Sequence, residues 1–328
     1  HIHLIHHPAG WISIRRIFRS IRQVTRLIRT ERINLVRGRL PYLGSLVGAI
    51  AARLRGVPFV VSLGGDNRIG QRRSGEYYYG SKTISYAMEW LVLKLASAVI
   101  VPNRYTLAYV GQVAGPKTVS RCEVIPWLSP PVPTEAPDDD ERLARLELSQ
   151  TRPIILIVGF LNPYKFTDIL FQMLEDEESR EFGPVDFYFC GDGPLKVEGE
   201  RRFAEREGIK FLGWQQRETI HALMRRAEIV LIPMSGFVLL EAASLGKAVV
   251  TSNLEWHSEI VSHEFTGLLV DPVNASEWRD AIVRLLAKSE LRDTFGNALK
   301  ARYESDYLLR TAIDKERALY HELVHARQ

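Results

Sequence analysis

Short runs of β-branched and other apolar residues alternate with segments of helix length along nearly the whole chain. Several of these runs are apolar throughout, which is typical of parallel strands that are covered on both faces. The candidate strands span residues 33–36, 58–62, 98–101, 122–125, 154–158, 186–190, 229–232 and 248–251. Alternation of this kind predicts doubly wound α/β architecture.

The chain is long enough, at 328 residues with 46% apolar side chains, to bury two separate cores. A proline-rich stretch at residues 126–133, followed by the acidic run 138–141, has the composition of a linker. We therefore predict an N-terminal domain over residues 1–130, a linker over 131–150 and a C-terminal domain over 151–305. A C-terminal helix over 306–328 is expected to pack back toward the N-terminal domain.

The first residue is not methionine, and residues 1–7 already have the pattern of a strand. We expect from this that the N-terminal domain is incomplete, although removal of a tag or processing explains the same start.

The formal charge of +4 conceals an uneven distribution. Residues 1–130 carry 19 Lys and Arg against 5 Asp and Glu, whereas residues 131–328 carry 24 against 34. The first part therefore has a net charge of +14 and the second part of −10. The basic part indicates an anionic partner such as a membrane surface or a lipid phosphate, and a solvated basic face without a partner is the alternative. Nucleic acid is not expected, because the interleaved aromatic and basic residues of such binders are missing.

One early segment carries two stripes that occupy opposite faces of a predicted helix, offset by about 200°. The arginine stripe consists of Arg15, Arg19, Arg22, Arg26 and Arg29, and the apolar stripe of Ile17, Ile21, Val24 and Ile28. We expect the apolar stripe to pack on the sheet. The arginine stripe either binds anionic lipid headgroups or faces water.

Cys122 and Cys190 lie far apart within apolar runs, which is typical of unpaired thiols in a reducing compartment. No apolar run approaches the ~18 residues that span a bilayer, and no signal peptide is visible. We therefore expect a cytoplasmic protein, with peripheral binding to the inner face of the cell membrane as a further possibility.

The loops after the predicted strands carry the candidate chemistry, because ligands bind outside the carboxyl ends of the strands in open α/β sheets. Gly159 follows one strand and permits a tight turn, and Lys165, six residues later, can reach back toward an anion. A second tight turn, at residues 191–194, follows the next strand.

The loop after the strand 229–232 leads through Ser235 and Gly236 into a helix predicted over residues 237–245 and closed by Gly246. The N–H groups at the start of such a helix form an anion site suited to a phosphate. Glu241 follows one turn later, where its carboxylate can accept hydrogen bonds from the hydroxyls of a ribose. Together these features predict a pocket for a nucleoside diphosphate.

The order of these loops resembles family 4 of the retaining GT-B glycosyltransferases. The resemblance covers nearly all of residues 152–310. It is carried by residues 158–165 (VGFLNPYK), 191–194 (GDGP), 211–214 (FLGW), 239–250 (LLEAASLGKAVV), 259–261 (EIV) and 266–272 (TGLLVDP). The first half matches more loosely, at residues 64–66 (GGD), 101–103 (VPN) and 124–126 (VIP).

This resemblance implies two Rossmann-like domains that face a cleft. It also implies a retaining, metal-independent transfer of a sugar from a nucleoside-diphosphate donor to a glycan or lipid-linked acceptor, without a further cofactor. Lys165 would neutralise the leaving diphosphate and Glu241 would hold the donor ribose. The other donor-binding positions implied are Gly159, Gly213, Trp214, Ser235, Gly236, Phe237, Val238, Gly65 and Asp66. Candidate contacts for the acceptor or a phosphate are Arg37, Arg39 and Asn103.

Two positions depart from the family pattern. The family usually has arginine where this chain has Phe160, and it has glutamate where this chain has Pro233. The form of the lysine loop and of the Ser235 loop resembles a divergent branch associated with cell-surface polysaccharide assembly. Three interpretations stay open: an active transferase that binds its sugar through other groups, a catalytically impaired nucleotide-sugar-binding partner protein, or a GT-B sugar-nucleotide epimerase.

The C-terminal sequence 321–325 (HELVH) matches the helical zinc-protease pattern, but it lies three residues from the chain end. We interpret it as a chance match and predict no metal site.

Overall fold

The computed structural model describes residues 14–75, 77–126, 129–146, 148, 151–176, 182–254, 256–307 and 309–326. The chain forms two compact units, one made of His1–Pro126 with Arg310–Gln328 and the other of Trp127–Leu309. We call them unit 1 and unit 2. No helix among the described residues is both long and apolar enough to cross a membrane.

Strands and helices alternate through the described residues and are numbered in chain order. The strands are β1 (Val36–Arg39), β2 (Phe59–Ser62), β3 (Ala98–Val101), β4 (Cys122–Val124), β5 (Ile154–Val158), β6 (Asp186–Cys190), β7 (Ile209–Gly213), β8 (Ile229–Ile232), β9 (Ala248–Ser252) and β10 (Leu268–Val270). The helices are α1 (Ile14–Thr30), α2 (Leu43–Arg55), α3 (Asn67–Ser74), α4 (Lys82–Leu95), α5 (Arg104–Ala114), α6 (Pro116–Val119), α7 (Asp139–Ala144), α8 (Thr167–Glu175), α9 (Pro194–Arg202), α10 (Arg217–Arg226), α11 (Gly236–Ser244), α12 (His257–Ile260), α13 (Ala275–Ala287), α14 (Ser289–Asp306) and α15 (Leu309–His325). A 3-10 helix spans Pro163–Lys165.

The sheet of unit 1 has the order β1-β2-β3-β4, and all of its described pairs are parallel. Helix α1 packs its apolar stripe inward, since Val24 and Ile28 are buried against Val47 and Ala51 of α2. The five arginines of the opposite stripe are all exposed. The two-faced helix predicted from the spacing is therefore present.

Strand β1 begins at Val36, so the strand predicted over residues 33–36 is misplaced by three residues. Val36 pairs with Phe59, and the polar Arg37 and Arg39 continue the strand. Among the described residues β1 pairs with β2 alone, and an end position in a sheet tolerates polar residues. A search for apolar runs places the strand too early for that reason.

The sheet of unit 2 has the order β10-β9-β8-β5-β6-β7 and is parallel throughout. Successive strands add outward from β5 toward β7, and the chain then returns to place β8 on the other side of β5. This is the doubly wound arrangement, in which the reversal beside the first strand opens a crevice at the carboxyl ends of the strands. The two parallel sheets confirm the predicted α/β class.

Strands β7 and β10 were not among the predicted strands. β7 is an edge strand with half-buried residues, and β10 spans only three residues, so neither forms the continuous apolar run that reveals a central strand. The central strands β5, β6 and β8 match the predicted bounds.

The acidic run of the predicted linker begins α7. Acidic residues in the first turn stabilise a helix because their negative charge attracts the positive end of its dipole. Asp139 also pairs with Arg225, whose Nη2 lies 2.6 Å from Asp139 Oδ1. The Pro133 carbonyl accepts a further hydrogen bond from Arg225 Nη1 at 2.8 Å. This segment therefore packs against α10 of the same unit.

Candidate active site

The loops after β5, β6 and β7 are joined by backbone hydrogen bonds. The bonds run from Gly159 N to Cys190 O (3.0 Å), from Leu161 N to Asp192 O (2.8 Å) and from Gly191 N to Gly213 O (2.8 Å). Gly191 has φ of +149°, and a Cβ atom there would lie 1.8 Å from Gly159 O. Only glycine allows the backbones to approach so closely.

Lys165 ends the 3-10 helix in the loop after β5. Asn162 Oδ1 accepts a hydrogen bond from Lys165 N at 2.9 Å, which fixes the start of this turn. The ammonium of Lys165 donates to Met234 O at 2.7 Å. The structure thus brings the predicted lysine to the segment that leads from β8 into α11.

Helix α11 begins at Gly236 and ends before Gly246, whose φ is +68°, so its predicted bounds are correct to within one residue. Ser235 occupies the N-cap position, but its side chain makes no capping hydrogen bond. The first turn contains Phe237, which is half exposed, and Val238, which is buried. The N–H groups of a first turn point along the helix axis away from the helix, toward the carboxyl end of β8 in this case.

Glu241 lies within α11 and is only 8% exposed. Its Oε1 accepts hydrogen bonds from Arg217 Nε at 3.1 Å and from Arg217 Nη2 at 2.8 Å. His221 Nε2 lies 3.4 Å from the same oxygen. Burial raises the pKa of Glu241, but the contacts with His221 and Arg217 outweigh it and hold the pKa below its usual value. The carboxylate is therefore charged and oriented.

Gly213 ends β7 with φ of +66°, and Trp214 follows with 75% of its surface exposed. Gln215 Nε2 donates to Leu212 O at 2.6 Å and closes the turn. Arg217 begins α10 three residues after Trp214. The contact between Arg217 and Glu241 therefore joins the turn after β7 to α11.

Two of the five candidates in unit 1 cap helices. Asp66 is buried, accepts from Arg68 N at 2.7 Å at the start of α3 and pairs with Arg72 at 2.9 Å. Gly65 precedes it with φ of +149°. Asn103 is also buried and accepts from Thr106 N at 2.7 Å at the start of α5.

The two arginine candidates lie on β1. Arg37 donates to Ser62 Oγ from Nε at 3.2 Å and from Nη2 at 3.0 Å. It also pairs with Glu316 of α15. Arg39 ends the strand and is exposed. These five candidates belong to unit 1, whereas the lysine, the glutamate and the remaining candidates belong to unit 2.

Several side chains that contact Glu241 or support the segment before α11 were missed in the sequence. They are Arg217 and His221 on α10, Thr251 and Ser252 at the end of β9, and His257 on α12. Arg217 lies three residues after the FLGW motif, which is a weak signal for a site residue. The others have no local signal, because their roles depend on contacts between distant parts of the chain.

The two positions that depart from the family pattern differ in their surroundings. Phe160 is 55% exposed at the mouth of the loop after β5. Pro233 is buried, and its carbonyl accepts from Ser252 Oγ at 2.6 Å.

Two family models match this chain. The model described as glycosyl transferases group 1 matches residues 138–302. The model described as glycosyltransferase family 4 matches residues 2–127.

Curated relatives are also transferases by name. Alpha-D-kanosaminyltransferase of Streptomyces kanamyceticus is 23% identical over 84% of this chain and 73% of the relative. D-inositol 3-phosphate glycosyltransferase of Corynebacterium efficiens is 30% identical over 44% of this chain and 37% of the relative. This second match covers well under half of the relative's length.

Solved structures share the fold. Sucrose-phosphate synthase of Thermosynechococcus elongatus has a TM-score of 0.77 at 20% identity, covering 98% of this chain and 86% of that one. HepE of Anabaena in complex with UDP-glucose has a TM-score of 0.75 at 17% identity, covering 93% and 82%. At such identities the likeness establishes the GT-B fold class alone.

Proposed function

Since this chain belongs to the family of glycosyl transferases group 1, we propose that it moves a sugar from a nucleoside-diphosphate donor to a glycan or lipid-linked acceptor with retention of configuration. The observation that carries the proposal is the meeting of Lys165 with the start of α11. A cation and the positive end of a helix dipole lie at one point, where the carboxyl ends of β5 and β8 are adjacent.

In the proposed reaction, the bond between the anomeric carbon and the diphosphate oxygen breaks, and the diphosphate leaves with the electron pair. The acceptor oxygen bonds to the same face of the sugar, and its proton passes to the departing diphosphate. The amides of Gly236, Phe237 and Val238 and the ammonium of Lys165 stabilise the charge that develops on the leaving group. Such stabilisation can serve in place of a divalent metal.

Glu241 is proposed to hold the ribose hydroxyls, with Arg217 keeping its carboxylate ionised and oriented. The turn at Gly213 and Trp214 faces the base, and Gly159 lets the backbone approach the donor. Ser235 contributes a hydroxyl beside the phosphates. HepE was solved with UDP and with UDP-glucose, which makes a uridine diphosphate donor the first one to test.

For the acceptor side, we propose that unit 1 contacts an anionic membrane surface through α1, at the cytoplasmic face of the membrane. The five arginines of the outward stripe are exposed, and the apolar Phe18 and Ile14 beside them are 64% and 71% exposed. Basic side chains with interspersed apolar ones are the composition of helices that lie at a lipid interface. A role in cell-surface polysaccharide assembly agrees with such an acceptor, and Arg37, Arg39, Gly65, Asp66 and Asn103 stay candidates for contacts in unit 1.

The test begins with thermal shift of the purified chain against UDP-, ADP-, GDP- and TDP-sugars. The best binder is then assayed for transfer to soluble glycans and to lipid-linked sugars. Binding of one donor followed by transfer supports the proposal. If the chain binds none of the donors, the proposal is overturned.

Two other outcomes identify the alternatives. Tight binding with no turnover toward any acceptor indicates a nucleotide-sugar-binding partner protein, which the loss of arginine at Phe160 and of glutamate at Pro233 would explain. Conversion of the donor to another nucleotide sugar without an acceptor indicates an epimerase.

A further inference from the structure

Three consecutive backbone carbonyls, from the last residue of β8 into the segment before α11, each accept a hydrogen bond from a side chain of another part of unit 2. The pairs are Thr251 Oγ1 with Ile232 O at 2.6 Å, Ser252 Oγ with Pro233 O at 2.6 Å and Lys165 Nζ with Met234 O at 2.7 Å. Two of the donors come from the end of β9 and one from the loop after β5. The segment that leads into the first turn of α11 is thus held from both sides.

His257 contacts the same two hydroxyl groups. Its Nδ1 lies 2.8 Å from Ser252 Oγ, 3.2 Å from Thr251 Oγ1 and 3.1 Å from Ser252 O. Each hydroxyl has a single hydrogen, which it already donates to a backbone carbonyl, so each can only accept from the ring. A carbonyl also only accepts. Nδ1 must therefore carry a proton in this arrangement.

The other ring nitrogen of His257 has no hydrogen-bond partner among the described residues. His257 is 1% exposed, and burial lowers its pKa to about 4. The ring is therefore neutral near physiological pH, with its one proton on Nδ1. All of its polar contacts pass through that N–H.

We propose that His257 is a positioning residue for the donor diphosphate. Its Nδ1–H orients the hydroxyls of Thr251 and Ser252 so that they hold the carbonyls of Ile232 and Pro233, and this fixes the direction in which the first turn of α11 points. This inference rests on the proposed function.

The local sequence explains why the segment needs outside support. Pro233 has no N–H and no polar side chain, so its carbonyl is its sole hydrogen-bonding group. Ser235 does not cap α11 through its side chain. The orientation of the amides at Gly236 and Phe237 therefore depends on the anchored carbonyls before them. Preorganised donors of this kind bind an anion without a reorganisation cost.

The test compares three variants that differ in what they place at the ring. His257→Asn keeps an N–H close to the position of Nδ1, whereas His257→Gln places its amide near the unpartnered Nε2. Ser252→Ala keeps the ring and removes the hydroxyl that reaches Pro233. Binding is measured with UDP by calorimetry and with uridine by ligand-observed NMR, and the melting temperature of each variant confirms that it is folded.

We expect His257→Asn to bind UDP within about two-fold of the parent chain and the other two variants to bind UDP about ten-fold more weakly. Uridine affinity is expected to stay unchanged in all three, because the anchored segment serves the phosphates. If a substitution of the ring unfolds unit 2, the Ser252→Ala variant still tests the inference, because it keeps the ring.

Three results would overturn the inference: equal weakening of UDP and uridine, an Asn variant no better than the Gln variant, or undiminished UDP affinity in Ser252→Ala. If the parent chain binds UDP while the variants bind equally well, the positioning role alone is wrong. If the parent chain binds no nucleoside diphosphate, the proposed function fails first.

Discussion

Arg217 directs two nitrogen donors, Nε and Nη2, at a single oxygen of Glu241, at 3.1 Å and 2.8 Å. The carboxylate is nearly buried, whereas 53% of the arginine side chain is exposed. The guanidinium thus stays partly hydrated while it forms an ion pair with the carboxylate. Because no hydrogen bond from a described residue reaches Oε2 of Glu241, that oxygen is the one we expect to face a ribose hydroxyl.

Replacing Arg217 is expected to weaken donor binding through Glu241. In Arg217→Ala, burial is no longer opposed by the guanidinium, so the pKa of Glu241 rises and UDP affinity falls by about ten-fold as the carboxylate loses its orientation. The loss should deepen as the solution is acidified. Calorimetric titration with UDP at several pH values measures it.

Two controls accompany this prediction. Arg201→Ala removes an exposed arginine from α9 and should bind UDP like the parent chain. In addition, 2′,3′-dideoxy-UDP should bind the parent chain and Arg217→Ala equally well. An equal loss for UDP and its dideoxy analogue would assign Arg217 to the phosphates and not to Glu241.

Removing the ammonium of Lys165 is expected to reduce both nucleotide affinity and transfer. Lys165→Ala takes away the charge at the leaving group and the bond to Met234 O, so we expect kcat for transfer to fall by about 100-fold or more. Initial rates with the best donor measure this. Lys117→Ala, at an exposed lysine of α6, is the matched control, and full activity in Lys165→Ala would place the site elsewhere.

Because the ring of His257 is buried and neutral, we expect the protein to lose stability in mild acid. Burial, aided by the nearby charge of Lys165, lowers the pKa of His257 from 6.5 to about 4. The unfolded chain therefore binds the proton more tightly, and the stabilisation is complete above pH 6.5 and is lost as the pH falls toward 4. Over this range the free energy of unfolding decreases by about 3 kcal/mol. Melting curves across this range measure it, and His257→Asn, which has no titrating ring, should show a smaller decline; parallel declines would exclude His257 as the cause.

The close approach of the loops after β5 and β6 predicts a large difference between two glycine substitutions. Gly191→Ala places a methyl group 1.8 Å from Gly159 O, at a φ of +149°. Gly159→Ala has a similar φ of +152° but meets no atom within 4 Å. We expect about 1–2 kcal/mol of destabilisation from strain in Gly159→Ala and several kcal/mol more in Gly191→Ala. Denaturant unfolding compares them, and equal losses would show that the clash is relieved by movement.

The exposed arginines of α1 predict salt-sensitive binding to anionic vesicles. Replacing Arg15, Arg19, Arg22, Arg26 and Arg29 with glutamine should abolish flotation with vesicles that contain phosphatidylserine, since each basic residue near the surface contributes about 1 kcal/mol. Vesicles of phosphatidylcholine alone and high salt are the controls. Flotation that survives the replacement would show that another surface binds the lipid.

The fold of unit 2 was largely predictable where burial is complete. Strands β5, β6 and β8 lie in apolar runs because both of their faces are covered, and α11 is bounded by glycines at each end. Strand β1 was placed three residues too early and β7 was missed, because their residues are polar or only half-buried. Their positions follow from pairing with neighbours, which a single sequence does not reveal.

The residues of the candidate site also fall into those that the sequence indicates and those that it does not. Lys165 and Glu241 could be chosen as candidates because they occupy fixed places in a recognisable order of motifs. Arg217, Ser252 and His257 could not, because each acts through a partner that the fold brings to it from another element. A histidine in such a place has no local signature.

The strand order β10-β9-β8-β5-β6-β7 also bears on synthesis of the chain. Lys165 follows the first strand of unit 2, but its partner Met234 follows the fourth, so the two meet only after β8 has paired with β5. A ribosome-bound chain that has emerged only as far as β7 therefore lacks half of the proposed anion site. On the proposed function, nucleotide is expected to stabilise this unit only once α11 has left the ribosome, and not during its early folding.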